Sequence, residues 1–403
     1  MPGPMDGVRV VELTVWVAGP ACAGVLADWG ADVVKLEPLD GDPARTYRQM
    51  LGGDMPSNPV FELDNRSKRS VAVDLRTDEG NAIALDLLDA ADVFVTNLRA
   101  SALARLGLDY DTLHARAPAL VYGLILGYGL DGPDADKPAY DIGAYWARSS
   151  IASLFTPPGG EPPFQRGGFG DHQVALTAAG AVSAALFARE RTGAGQLVTT
   201  SLLRQGAYAV GFDLNVALMW GRQIRLGERT TMPNPAMNNY RAGDGRGFWL
   251  IGQVADRHWP PLARAVGHAE WLEDERFATR GGRARNAAEL IRLLDQVFAT
   301  KSLEEWATVF DGEPDLFWAP INTVDELFAD PQFLAGGGLV TVPDGASGTL
   351  MLASPSDFSG TPWAPRSLAP ELGQHTREVL AELGRTAAEI DDLAALGVIA
   401  LPP

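Results

Sequence analysis

Hydrophobic and polar positions follow two rhythms along the first half of the chain. Short β-branched runs, 8-VRVVEL-13 and 32-DVVKLE-37, flank an Ala- and Gly-rich stretch, 18-AGPACAGVLADWGA-31, that reads as a helix. The unit recurs as 70-SVAVDL-75, a helical pattern over 78-DEGNAIALDLLDAA-91, then 92-DVFVTN-97 and 119-ALVYGLILG-127. Five short strands with intervening helices predict an α/β domain of Rossmann-like layout, a parallel sheet with crossover helices. Further on, 166-RGGFGDHQVALTAAGAVSAALFARERTG-193 reads as a glycine-rich loop and a long apolar helix closed by Gly193. A helical pattern over 201–221 leads into 222–247, where Arg, Asn, Pro, Gly and Met occur without periodicity, the texture of a domain crossing. A strand at 248–254, mostly helical sequence to about 310, and two amphipathic helices over 376–399 with a turn at Gly384 complete the pattern. These shifts predict a large domain from residues 1–220 and 331–403 and a smaller central α+β domain from 221–330.

Composition narrows the function classes. With 403 residues, 46% of them hydrophobic, the chain can bury a sizeable core. A formal charge of −18 argues against a nucleic-acid or anionic-membrane surface, which needs basic patches; a few placed cations still suffice for a small anion. The single cysteine, Cys22, leaves no intrachain disulfide or thiolate metal cluster and fits a reducing compartment. Its place among alanines predicts a packed small residue rather than a nucleophile. No signal-peptide pattern and no apolar run of membrane length is found, so a soluble cytoplasmic protein is expected. The first strand-to-helix turn, 19-GPACAG-24, lacks the middle glycine of a dinucleotide fingerprint, and no phosphate-loop motif occurs. Nicotinamide dehydrogenases and phosphate-hydrolysing enzymes are therefore poor fits.

Asp171, between the glycine-rich loop and the long helix, admits two compatible readings. Aspartate is a favoured N-cap, and a carboxylate at a helix start, where partial positive charge keeps it ionised, is also a candidate for chemistry.

Several motifs in series carry a resemblance: 6-DGVRVVELTVWVAGPACAGVLADWGADVVKLEP-38, 64-DNRSKRSVAVDL-75, 92-DVFVTNLRASALARLGLDYDTL-113, 127-GYGLDGP-133, 139-AYDIGAYWARS-149, 170-GDHQ-173, 188-ARERTGAGQLVTTSLL-203, 330-DPQF-333 and 369-APELGQHTREVL-380. Taken together they resemble the class III CoA-transferase family, the formyl-CoA and carnitine CoA-transferase group that also contains α-methylacyl-CoA racemases. The resemblance implies a Rossmann-like large domain made of both chain ends, a smaller central domain, and an interlocked homodimer. It also implies acyl-CoA and a carboxylic acid as substrates, no metal or redox cofactor, and Asp171 as the catalytic aspartate. In such chemistry the carboxylate attacks an acyl-CoA thioester, giving a mixed anhydride and then an aspartyl-CoA thioester. Each step passes an oxyanion, for which Gly167, Gly168 and Gly170 are the candidate backbone donors.

Coenzyme A carries a pyrophosphate and a 3′-phosphate, so its site needs cations and exposed amides. Candidates are Lys35, Arg66, Lys68, Arg69, Arg99, Arg105 and Lys137, with Arg66, Lys68 and Arg69 the tightest group. The resemblance favours the NRSKRS and NLR segments, adds Asn97 and Leu98 at a strand end, and places Val17 and Ala18 at the thioester end and Tyr140 in the site.

Within the family the alternative is a racemase, which needs two acid/base groups across the α-carbon. That branch has a His directly before the Asp of the phrase that here reads 139-AYDIG-143. Tyr140 stands in its place, and an ordinary tyrosine, with a pKa near 10, is a poor base at neutral pH. Transferase is the preferred reading; a non-catalytic CoA-ester binding protein is a third. His172 adjoins Asp171 but is expected to point elsewhere. His114, His258, His268 and His375 show no metal-ligand spacing. The acceptor surface is expected within 218–240, with Trp16 and Phe169 as neighbours and Arg222, Arg225 or Arg229 holding the second carboxylate of a dicarboxylic acid. Trp16 and Val17, where a formyl-CoA transferase has a Gln, disfavour formyl and oxalyl groups.

Overall fold

Strand composition and strand burial agree: VYGLIL at Val121–Leu126 and VFVT at Val93–Thr96 are buried at every residue, as strands covered on both faces must be. The computed structural model describes residues 3–50, 52, 57–224 and 227–402. It divides into two compact units, Met1–Thr156, Glu161–Leu214 and Gly337–Pro403 against Pro157–Gly160 and Asn215–Gly336. The crossings lie a few residues from the expected 220 and 331, and Pro157–Gly160 was not foreseen in the smaller unit.

The first six strands are β1 (Arg9–Leu13), β2 (Asp32–Glu37), β3 (Arg69–Val73), β4 (Val93–Thr96), β5 (Val121–Leu126) and β6 (Leu197–Ser201). The smaller unit holds β7 (Met237–Arg241), β8 (Gly247–Ile251) and β9 (Trp318–Pro320), an antiparallel sheet whose core includes Trp259, Phe298, Trp306 and Phe310. Back in the larger unit, β10 (Leu339–Val342) and β11 (Thr349–Leu352) form a hairpin, and β12 (Ile399–Ala400) ends the chain's regular structure.

The large sheet runs β12-β3-β2-β1-β4-β5-β6, with every pair parallel except β12 against β3. Strand order reverses between β1 and β4, so the carboxyl ends of these two strands border the crevice where open α/β sheets bind ligands. Five strands were legible in sequence. β6 was not, because LVTTS is a half-buried edge strand with little apolar signal, and β12 has two residues only.

Helices cover both faces. On one, Ala18–Asp28 packs on Phe169–Thr192 through small side chains, among them Cys22, Ala23 and Ala27 with Ala175, Ala178 and Ala179. The other face buries Ile83, Leu87, Leu103, Leu113, Leu380 and Ile390, each worth about 1.5–3 kcal/mol. The pattern read as one helix over 201–221 is two, Leu202–Ala209 and Gly211–Trp220, because Val210 leaves the helical conformation. Gly384, at φ 86°, separates the tail helices Thr376–Glu382 and Ala387–Ala395.

Candidate active site

Asp171 is not the cap of its helix. The helix Phe169–Thr192 begins from Gly168, a left-handed residue at φ 73°, which places Asp171 third in the first turn. Its carboxylate is partly buried and has no hydrogen-bond partner among the described residues. Burial, then the neighbouring Asp141 and Asp64 carboxylates, push its pKa up to about 7, while the His172 ring pulls the other way. The helix terminus was expected to hold the group ionised; desolvation and like charge outweigh that pull, leaving it poised near neutrality.

The two neighbouring carboxylates are anchored. Asp141 Oδ2 accepts from Gln165 Nε2 at 2.8 Å and from the Gly170 N–H at 3.3 Å. Asp64 Oδ1 lies 3.0 Å from His172 Nε2. Two glycines have separate reasons to be glycine. A Cβ on Gly170 would stand 2.4 Å from Tyr145 Cγ, and one on Gly168 would meet His172 Cε1 at 3.3 Å as well as suffer the positive φ. Gly170 is therefore a spacing residue whose N–H is committed to Asp141, a correction to its expected role as an oxyanion donor. The N–H groups of Gly167 and Gly168 find no acceptor among the described residues.

Facing this loop is residues 14–18. Val17 Cγ1 would lie 3.7 Å from a Cβ on Gly168. Val17 and Ala18 are themselves buried. Trp16 takes φ 69°, a conformation costing a bulky residue about 1–3 kcal/mol and found where a site over-determines it. What holds it is Asp42, whose Oδ1 accepts the Trp16 N–H at 3.0 Å. The indole meets Tyr47 and Tyr140 edge-on at 5.7 and 5.9 Å. Tyr47 faces the same acids: burial, then Asp171, Asp64, Asp42 and Asp141, push its hydroxyl up to about 12. Asn97 closes the other side, its amide accepting from Val15 N at 2.9 Å and donating to Val15 O at 2.7 Å.

Three of the expected phosphate cations prove structural. Lys35, 0% exposed, stands in register with Glu12 and contacts Glu12 and Asp42 at 2.9 Å each. Lys68, 2% exposed, contacts Glu12 at 2.7 Å, and Arg66 clasps Asp28 at 2.6 Å with a further bond to Leu352 O. Their charges are already matched inside the fold. Arg69 opens β3, at the opposite edge from the crevice, and binds Asp32, Glu378 and Glu382.

Arg99, Arg105 and Lys137 differ: all are exposed, Lys137 with Asp134 at 4.0 Å. Ser101 bonds Asp136, tying the segment that carries Lys137 to the helix Ala100–Leu106, and both Arg99 and Arg105 bear on Asp136. Leu98 lines a cleft of about 520 Å³ with Leu13, Thr14, Leu36, Val73 and Leu106. A second hollow of about 720 Å³ shares Leu106 and Arg76 with it and reaches Arg105.

Asp64, Asp141, Tyr47 and Gln165 escaped the sequence reading. Asp64 sits in the DNRSKRS segment, whose pattern is dominated by its cations, and Asp141 follows Tyr140 in the AYDIG phrase. In the smaller unit Arg229 is paired with Asp295 and bonded to Asn239 O, so its charge is not free for a substrate. Arg222 is exposed; Arg225 lies outside the described residues. Cys22 is buried and its thiol pushed up to about 12, chiefly by burial. Phe169 is half exposed beside Tyr145.

A family model described as CoA-transferase family III matches residues 5–376. The (R)-2-hydroxy-4-methylpentanoate CoA-transferase of Clostridioides difficile is 34% identical over 396 residues, covering 96% of this chain and 97% of that protein. Succinyl-CoA--D-citramalate CoA-transferase of Chloroflexus aurantiacus is 35% identical over 405 residues, 98% and 97% of the two. The crystal structure of a CAIB/BAIF family protein from Brucella suis superposes with a TM-score of 0.81 at 32% identity, over 95% of this chain and 100% of that one. With matches of this length and identity, the chain belongs to CoA-transferase family III and is a class III CoA-transferase.

Proposed function

We propose that the chain moves CoA from an acyl-CoA donor to a carboxylic acid acceptor through covalent intermediates on Asp171. The observation that carries the reading is the state of that carboxylate: partly buried, without a hydrogen-bond donor among the described residues, and poised near neutrality, while its neighbours Asp64 and Asp141 are both bonded.

The steps follow from carboxylate nucleophilicity. An Asp171 oxygen attacks the donor thioester carbonyl; the C–S bond breaks, giving a mixed anhydride and CoA thiolate. The thiolate attacks the aspartyl carbonyl, releasing the donor acid as its carboxylate and leaving aspartyl-CoA thioester. The acceptor carboxylate attacks that thioester, and the freed thiolate takes the acceptor acyl group from the new anhydride, returning Asp171. No net proton moves. Every addition places charge on a carbonyl oxygen, and the open N–H groups of Gly167 and Gly168 are suited to receive it.

We place the nucleotide end of CoA in the cleft at Leu98, with Arg99, Arg105 and Lys137 toward its phosphates. Pantetheine then crosses residues 14–18 to bring the thioester to Val17, Ala18 and Asp171. Trp16, Tyr47 and Tyr140 give the acyl group an aromatic wall, and the negative charge of Asp64 and Asp141 disfavours a second carboxylate there. Apolar acids are accordingly expected to outcompete dicarboxylic ones. The homodimer, interlocked as the resemblance implies, is supported by the helix Gly211–Trp220, which buries nothing and exposes Phe212, Leu218, Met219 and Trp220. We assign the enzyme to the cytoplasm, consistent with one buried cysteine; among the described residues no helix is long and apolar enough to cross a membrane.

Replacing Asp171 by Asn keeps shape and removes the nucleophile. Transfer between acyl-CoA and free acid is expected to fall at least ~10³-fold, with acyl-CoA binding retained by calorimetry. Residual transfer within about tenfold of the parent would exclude covalent catalysis at this residue.

A further inference from the structure

We infer that Asp64 and His172 form a charge-holding dyad that positions and tunes Asp171, with His172 kept as the imidazolium beside the nucleophile. The inference rests on the transfer reading above, and three geometric facts carry it. His172 Nε2 lies 3.0 Å from Asp64 Oδ1, a contact that joins the end of the helix Pro59–Asn65 to the first turn of the nucleophile's helix. Asp64 is 2% exposed, and its other oxygen is buried without a partner. The same ring rests against Gly168, where a Cβ would come within 3.4 Å of Nδ1, so its placement is fixed on two sides.

A buried carboxylate with one free oxygen is costly unless a cation faces it. Burial raises the Asp64 pKa; the hydrogen bond to His172, then the charges of His172, Lys68 and Lys35, act against that, and both lysines already contact Glu12. His172 is the partner in direct contact. The hydrogen bond to Asp64, then the charges of Asp64 and Asp171, raise its pKa against the opposing effect of burial. Asp171 in turn is faced by Asp141 and Asp64, both unfavourable to its charge, with His172, among the described residues, favouring it; Tyr47 faces the same acids with its proton held. Removing the imidazolium leaves the nucleophile among like charges alone. Its ionisation then moves to higher pH.

The sequence position of His172, next to Asp171, pointed to a ring turned away from the chemistry. It does turn away, toward Asp64, and acts through space. Its side chain remains 42% exposed.

The test pairs two readouts on Asp64→Asn and His172→Gln. The first follows the histidine ring carbons by NMR during a pH titration, with His172 assigned from His172→Gln. Asp64→Asn is expected to lower the His172 midpoint by about one unit or more, the loss of a direct ion pair. The second is the pH profile of kcat/KM. His172→Gln should shift its rising limb upward by about one unit, so that the loss in rate is largest below neutrality and shrinks as pH rises, whereas Asp64→Asn, which removes an unfavourable charge together with the imidazolium, should shift it less. A fall by the same factor at every pH, or a His172 midpoint unmoved by Asp64→Asn, overturns the dyad. If Asp64→Asn does not fold, half-exposed His172→Gln alone decides through the profile. Failure of the nucleophile reading shows differently: no variant, nor the parent, would have a limb near neutral pH, while the NMR midpoint would still decide the dyad.

Discussion

Asp171 is governed by opposing effects of unequal size. The helix terminus and His172 favour its charge; burial, Asp141 and Asp64 oppose it and win, raising its pKa to about 7. Because the folded pKa lies above the unfolded value near 3.9, the folded state binds the extra proton between those two values. Stability tied to this group is therefore full below the unfolded pKa, is lost as pH rises through 7, and stays lost above it. Asp171→Asn should make the protein more stable than the parent at pH 8.5, by about 1–3 kcal/mol, with the advantage shrinking as pH falls toward 4. Thermal melts at a series of pH values check this. A variant less stable than the parent at alkaline pH would mean that the carboxylate is paired in solution.

At the level of elements, the site is where two loops are held against each other. Residues 14–18 follow β1, and their shape is imposed from beneath by Asp42 and from the side by Asn97. Loop 166–168 ends at Gly168, which needs its positive φ and leaves room for His172. Gly168→Ala should cost about 1–2 kcal/mol of backbone strain and displace the His172 ring by a few tenths of an ångström. Misplacement beside Asp171 is expected to lower kcat about 10–100-fold while the KM for acyl-CoA changes little, because the cleft around Leu98 lies away from the glycine. An unchanged kcat in steady-state assays would deny the loop its part in catalysis.

Across the whole molecule, charges divide into those that build the fold and those left at the crevice. Arg66 belongs to the first kind and Arg105 to the second. Arg66→Ala strands Asp28 in the interior and should destabilise the protein by about 3–5 kcal/mol in denaturant titration. Arg105→Ala should leave the melting temperature unchanged and raise the KM for acyl-CoA about tenfold, the loss of one charge-assisted contact. The reverse pattern would contradict this division.

That division also shows what sequence could carry. The strands β1 to β5 and the helix that carries Asp171 were legible because periodicity and glycine placement are local signals. Lys35 and Lys68 were misread since a lone lysine beside apolar residues looks the same whether it meets a phosphate or a buried Glu12; only register, Glu12 opposite Lys35, separates the cases. In hindsight VVEL and VVKL, each with one charge at a matching place in paired strands, held that signal. Asp64 and His172 stand more than a hundred residues apart in sequence, and no local pattern joins them.

The most direct measurement is chemical trapping during turnover. The protein is incubated with an acyl-CoA, quenched with hydroxylamine, digested, and mapped by mass spectrometry. A hydroxamate on the Asp171 side chain, absent from Asp171→Asn and from samples without acyl-CoA, is the predicted result. Turnover with no hydroxamate at Asp171, or with one at Asp64 or Asp141 instead, would contradict the account.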